Sequence, residues 1–243
     1  MAAEVDPAVL AEDRALLARA STADRVAAVL RTRISEGHLP PGGKLAEDVV
    51  AGALGVSRNT LREAFRLLTH EKLLVHELNR GVFVRVLTAA DVADIYRVRR
   101  LVECSVIRGL GAPPYALSGA AEAVAEGERA AARKRWGALG TADIHFHQAL
   151  VDLAGSARLT GLMTGVLAEL RLAFHAMDDP REFHEPYLGG NREILRALEA
   201  ADPPRAELLL TSYLDRAETQ LVRRYAPPVP DGIGPGQACA RCT

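Results

Sequence analysis

Two short apolar-patterned helical segments separated by only Gly55-Val56 constrain this chain more than any other feature. Residues 45–54 read as a helix that must stop at Gly55, because glycine takes a left-handed backbone without a Cβ penalty. Ser57 follows at once, and its hydroxyl can satisfy an orphan backbone N–H at the start of another helix. Upstream, Ser21 and Asp24 stand in the S-x-x-D spacing of a helix start, with Val26, Val29, Leu30 and Ile34 on one face and an end near Gly37. His38-Leu39-Pro40-Pro41-Gly42-Gly43 cannot continue that helix, since proline lacks the N–H and fixes φ. Downstream, residues 75–86 read as two strands around Asn79-Arg80-Gly81, with a glycine available for positive φ. Three short helices followed by a hairpin make a winged helix-turn-helix, here expected over residues 21–87 behind an N-terminal arm of residues 1–20.

The third helix carries the argument for DNA. At about 100° per residue from Arg58, Leu61, Ala64, Phe65 and Leu68 fall between about 240° and 340°, whereas Arg62 and Arg66 fall at about 40° and 80°. One face therefore packs and the adjacent face is an arginine row. An arginine fork near a helix N-terminus can donate to guanine O6 and N7 or to phosphate, and Asn59 and Thr60 add short polar groups beside it. Residues 21–87 hold 10 Lys+Arg against 7 Asp+Glu, the one basic block in a chain of net charge −1.

Residues 26–86 resemble the DNA-binding domain of the GntR family of bacterial transcription factors. The matching residues are Ile34, Gly37, Leu39-Pro40-Pro41-Gly42, Leu45, Glu47, Leu54-Gly55-Val56-Ser57-Arg58, Leu61-Arg62-Glu63-Ala64, Leu67-Leu68 and Gly81-Val82-Phe83-Val84. The resemblance implies that the protein binds a palindromic double-stranded operator as a homodimer. It also implies that Arg58 and Arg62 contact the operator and that Arg80 and Gly81 sit at a wing tip near the minor groove. The expected DNA-contacting set is then Ser57, Arg58, Asn59, Thr60, Arg62, Arg66, Arg80 and Gly81. Two departures stand out. Asp48 occupies a place where relatives often carry a DNA-contacting arginine, and Asn59-Thr60 replaces a frequent Thr-Pro.

Beyond Thr88 the pattern is helical, with candidate helices over about 89–110, 118–137, 141–154, 157–176, 191–201 and 203–225. The expected fold class is thus mainly α, a winged helix-turn-helix followed by an all-helical bundle of about six helices over residues 88–226, with a tail over 227–243. Length, helix count and position resemble the FCD effector domain of the FadR branch of the same family, on Arg99-x-x-x-Glu103, Asp143-x-x-x-His147 with Phe146, and the stretch 197–213.

Asp143 and His147 are i,i+4 and share one helix face, a spacing that can present carboxylate and imidazole to one metal. The resemblance implies two more histidine ligands for zinc or nickel, and the matching positions hold Asn191 and Tyr213, weaker partners for such an ion. The other reading is a polar cluster of Asp143, His147, Asn191 and Tyr213 that holds itself together or binds a ligand directly. Arg99 or Arg100 supplies charge for an acidic effector, arginine being the usual bidentate partner of a carboxylate.

Several function classes are excluded. No stretch approaches the roughly 18 consecutive apolar residues of a membrane span, and the acidic N-terminal residues do not make a secretory signal, so a cytoplasmic protein is expected. Cys104, Cys239 and Cys242 are too few for a disulfide framework, and Cys239-x-x-Cys242 stands alone in a Pro/Gly-rich tail. His145 and His147 point about 200° apart on a helix and cannot easily share an ion. The run Leu208-Leu209-Leu210 reads as core, and Arg133-Lys134-Arg135 as a solvated helix face beside Trp136. Neither a glycine-rich phosphate loop nor a nucleophilic-serine motif is present, so no enzyme is expected. A ligand-responsive regulator, most often a repressor in this family, and a ligand-independent architectural dimer remain. The regulator is preferred because the appended helices exceed what dimerisation needs.

Overall fold

A computed structural model describes residues 21–225 apart from residues 176 and 178. The arm over 1–20 and the tail over 227–243, with Cys239 and Cys242, lie outside the described residues. The chain is mainly helical, with a winged helix-turn-helix ahead of a helical bundle.

Helix α1 (Thr22–Ser35) opens on the expected capping box, the Asp24 amide donating to Ser21 Oγ at 3.1 Å and the Ser21 amide to Asp24 Oδ2 at 2.8 Å. Strand β1 (Lys44–Leu45), α2 (Glu47–Leu54) and α3 (Arg58–His70) follow, then the wing strands β2 (Leu74–Glu77) and β3 (Gly81–Val84). Gly55 ends α2 at φ +64°, and Ser57 Oγ accepts the Thr60 amide at 3.1 Å. These two residues turn the chain between helices within the expected span. Strand β1 was not expected. The Pro40-Pro41-Gly42-Gly43 loop delivers it to the wing, where it pairs antiparallel with β3, Lys44 opposite Phe83, in a sheet of order β1-β3-β2. Leu61, Ala64, Phe65 and Leu68 of α3 are buried with Val26, Leu30 and Ile34 of α1 in one core.

The bundle runs α4 (Ala89–Arg99), a π-helical turn (Arg100–Cys104), α5 (Ser105–Arg108), α6 (Ser118–Ala132), α7 (Trp136–Asp152), α8 (Ala157–Phe174), α9 (Pro180–Glu199) and α10 (Pro203–Tyr225). Three boundaries differ from the sequence expectation for identifiable reasons. Lys134 adopts φ +55°, so Arg133-Lys134-Arg135 is a break between helices and Trp136 opens α7 instead of closing α6. Helix α9 starts eleven residues before the expected 191, capped by Asp179 Oδ1, which accepts the amides of Arg181 (2.8 Å) and Glu182 (3.2 Å). Pro186 lies inside it, and burial of Phe183, His184, Tyr187 and Leu188 outweighs the lost hydrogen bond. Gly190 is not a breaker there. A Cβ on it would lie 2.9 Å from the Tyr213 ring, so the glycine lets α9 and α10 approach closely. Leu210 is core but Leu208 is exposed, a correction to the reading of that run.

Candidate nucleic-acid interface and buried polar cluster

Helix α3 presents Arg58, Arg62 and Arg66 to solvent, and the turn after β2 presents Arg80. Each guanidinium is held by a carboxylate of its own neighbourhood: Arg58 by Asp48 (2.7 Å), Arg62 by Glu47 (2.9 Å), Arg66 by Glu63 (3.1 Å) and Arg80 by Glu77. Asp48, the departure from the family pattern, is thus a partner of the first arginine of the row. Ser57 and Thr60 share a hydroxyl contact of 2.9 Å at the helix start, and Asn59 is exposed beside them. Gly81 sits at φ +113°, and a Cβ there would lie 3.3 Å from the Lys44 side chain. Lys44 and Arg80 flank the Phe83 ring at 5.8 and 5.5 Å from its centroid. Lys44 is a cation at the wing that sequence reasoning missed, since only the pairing of the two-residue strand β1 brings it there.

The second constellation is buried in the bundle, and the π-helical turn helps to assemble it. Such turns widen the helix by one residue and recur at functional sites. Arg99 and Glu103, four residues apart, face one another across this turn. Arg99 Nε donates to Glu103 Oε1 at 2.7 Å, with 1% and 0% of the two side chains exposed. The guanidinium also lies 4.9 Å from the Tyr96 ring centroid. Glu103 Oε2 meets His147 Nδ1 at 2.6 Å, and His147 Nε2 faces Asp143 Oδ1 at 3.8 Å. Asp143 Oδ1 accepts from Tyr213 OH at 2.6 Å and Asn191 Nδ2 at 2.8 Å. Three polar atoms of the cluster have no partner: Arg99 Nη2, His147 Nε2 and Asn191 Oδ1.

Electrostatics keep both carboxylates ionised. Burial pushes Glu103 up, but Arg99 and His147 more than offset it, so its pKa lies below the usual carboxylate range. Asp143 is likewise raised by burial and brought down further by His147 and by the Tyr213 and Asn191 hydrogen bonds. Tyr213 is pushed well up by burial and the adjacent Asp143, and stays a phenol donor.

Of the residues expected to face an effector, Arg99, Asp143, His147, Asn191 and Tyr213 come together. Arg100 does not. It opens the π-helical turn and pairs with Asp215 (3.1 Å) and Glu218 (2.6 Å) of α10. Asp143 and His147, the two expected metal ligands, lie side by side: Glu103 takes His147 Nδ1, and His147 Nε2, without a hydrogen bond, faces Asp143 Oδ1. Among the described residues no group of three or more His, Cys, Asp or Glu is placed to hold a metal. Asp143 and His147 belong to a hydrogen-bonded cluster with Glu103, Asn191 and Tyr213. Glu103, its central member, was visible in the sequence only as the end of the Arg99-x-x-x-Glu103 spacing.

Comparison with known proteins covers both parts of the chain. Residues 22–84 match the bacterial regulatory proteins of the gntR family, and residues 94–216 match the FCD domain. A D-xylose utilization operon transcriptional repressor of Paenarthrobacter nicotinovorans is 31% identical over 209 residues, covering 82% of this chain and 88% of its own length. A Rhodococcus sp. RHA1 structure described as a GntR transcriptional regulator superposes with a TM-score of 0.82 at 47% identity, covering 85% of this chain and 100% of that one. The gluconate operon transcriptional repressor of Bacillus licheniformis is 41% identical over 95 residues, 39% of either chain. Among the described residues no helix is long and apolar enough to cross a membrane. With an arginine-faced helix-turn-helix, a wing and an FCD bundle in one chain, the protein belongs to the bacterial GntR family of DNA-binding transcriptional regulators and is not an enzyme.

Proposed function

We propose that the protein is a cytoplasmic repressor that binds a palindromic operator as a homodimer and loses or gains operator affinity when a small acidic metabolite enters its helical domain. In this reading residues 21–87 are the DNA-binding domain and residues 88–226 the ligand-binding and dimerisation domain. Ser57, Arg58, Asn59, Thr60 and Arg62 enter the major groove, Arg66 meets phosphate, and Arg80 and Gly81 approach the minor groove. The observation that carries the reading is the exposed row of Arg58, Arg62 and Arg66 beside a wing tipped by Arg80. The effector's place is the cluster of Arg99, Asp143, His147, Asn191 and Tyr213, whose three unpartnered buried atoms support a ligand there, because polar groups so enclosed ordinarily find partners. Two relatives named as operon repressors for sugar and sugar-acid genes favour repression.

A ligand-independent dimer is the second reading, favoured by the closure of that cluster, where Arg99, Glu103 and His147 are at most 1% exposed. Capture of genomic fragments on the purified protein separates the two readings. A short palindrome enriched beside a few genes, released by metabolites related to those genes, is the expected result. Uniform retention that disappears with modest salt would leave the architectural dimer.

A further inference from the structure

A cavity of about 680 Å3 lies where the end of α1 meets the bundle, lined among others by Ser35 of α1, Trp136 and Thr141 of α7, Arg171 and Phe174 of α8, and His184 of α9. None of the polar-cluster residues lines it. We infer that this junction is a second ligand site, one that takes a small carboxylate with an aromatic or apolar body on Arg171 and His184.

The charge at the site asks for an anion. Arg171 is largely buried, and its hydrogen bonds go only to neutral oxygens: Nε donates to Ser35 O (3.2 Å), and Nη2 donates to Gly137 O (2.9 Å) and Thr141 Oγ1 (2.8 Å). Its Nη1 is buried with no partner. A buried guanidinium without a carboxylate in contact is an uncommon and costly arrangement, relieved when a carboxylate supplies both charge and acceptor.

Arg171 and His184 both line the cavity, and they pack side by side against α7 at Gly140, where a Cβ would lie 2.7 Å from His184 Nε2 and 3.0 Å from Arg171 Nη1. Burial takes His184 down to about 4, so at neutral pH the ring is uncharged and can donate one N–H without repelling the guanidinium. Trp136 and Phe174 line the wall that the ligand body meets, with Arg181 5.5 Å from the Trp136 ring centroid, and exposed Arg135 adds positive charge at the rim. Two carboxylates also line the cavity, and both are engaged. Glu36 pairs with Arg33 (2.7 Å) and His38 (3.2 Å), and Glu126 with His145 (2.8 Å).

Occupation of the cavity reaches the DNA-binding part through Arg171 and Ser35, which both line it. The Arg171 bond to Ser35 O and the His175 Nε2 bond to Ile34 O (2.9 Å), a carbonyl that also accepts the Gly37 amide (3.0 Å), tie the last turn of α1 to the bundle. A carboxylate that recruits the same guanidinium acts on the group that holds α1 to the bundle, and a ligand of this kind shifts the relative placement of the two parts.

Trp136 is the single tryptophan of the chain and lines the cavity, so its fluorescence reports on the site. Titration of the full-length protein with 3-phenylpropionate should give a saturable change, with 3-phenylpropionamide as the neutral control. Arg171→Gln should weaken the response about tenfold or more, the usual share of a charge-assisted hydrogen bond. Tyr213→Phe, which alters the polar cluster, should leave it intact, so failure here and failure of the cluster as effector site are distinguishable. Operator affinity should change with 3-phenylpropionate in the wild type and not in Arg171→Gln. No saturable change into the millimolar range, or an equal response to the amide, overturns the inference, and neither result depends on a variant that must fold.

Discussion

Neutralising Glu103 should destabilise the helical bundle far more than its small change in shape suggests. Glu103→Gln keeps the side-chain volume, so no cavity term arises. It removes the charge that faces Arg99 Nε at 2.7 Å in a pair with 1% and 0% exposure. Removing one partner of a buried ion pair costs about 3–5 kcal/mol, and the nearby Asp143 carboxylate places the loss toward the lower figure. At about 2–4 °C per kcal/mol for a chain of this size, 3 kcal/mol lowers the melting temperature by about 6–12 °C. The full effect is present at pH 7, because Glu103 lies below the usual carboxylate range and its contribution fades only as pH falls through that lowered value. Circular dichroism melts of Glu103→Gln and of Arg99→Met/Glu103→Gln at pH 7 provide the measurement. The double variant, with no lone buried charge, should regain most of the loss. A single variant that melts within about 2 °C of wild type, or a double variant no better than the single, would refute the account of Arg99 as a cation held by Glu103.

Other outcomes follow from the same geometry. Arg62→Ala should weaken operator binding by about 1–3 kcal/mol and relax preference at one base position, whereas Arg66→Ala should weaken all sequences alike and lower the salt slope by about one per contact; electrophoretic shifts at several salt concentrations measure both. Ser57→Ala removes the acceptor of the Thr60 amide at the start of α3 and should cost about 0.5–2 kcal/mol in a urea melt. His184, faced by Asp143 and Arg171, falls from the ordinary imidazole value of 6.5 to about 4 on burial. The unfolded chain binds the extra proton, so stability should decline by about 3 kcal/mol as pH drops from 6.5 to 4. His184→Gln should flatten that decline, and an unchanged pH profile of the melt would show that the ring does not titrate this way.

The fold was legible where local chemistry and tertiary demand agree. Ser21 with Asp24, Gly55 and Ser57 act within four residues of themselves, so their signals survive without knowledge of the rest of the chain. Strand β1 was not legible, because two residues have no periodicity and exist as a strand only by pairing with β3. Helix α9 starts before the expected 191, because burial of Phe183 and Tyr187 and the approach of the Tyr213 ring carry the helix through Pro186 and Gly190 in the folded chain. Asp143, His147, Asn191 and Tyr213 could be grouped through the family pattern. Arg99 and Arg100 point about 100° apart, so only one of them could face the cluster, and the partners that settle which, Glu103 for Arg99 and Asp215 and Glu218 for Arg100, come from the fold. Arg171 and His184 carry no motif at all, since only the packing of α7, α8 and α9 brings them to Gly140.

The paired arginines of the DNA-reading face bear on search kinetics. Each of Arg58, Arg62, Arg66 and Arg80 already rests against a carboxylate, so contact with a phosphate is an exchange of one anion for another. In the proposed docking, each such exchange returns less than contact by an unpaired guanidinium would, so dwell time on random sequence should be short and should lengthen where base edges hold Arg58 and Arg62 away from Asp48 and Glu47 together.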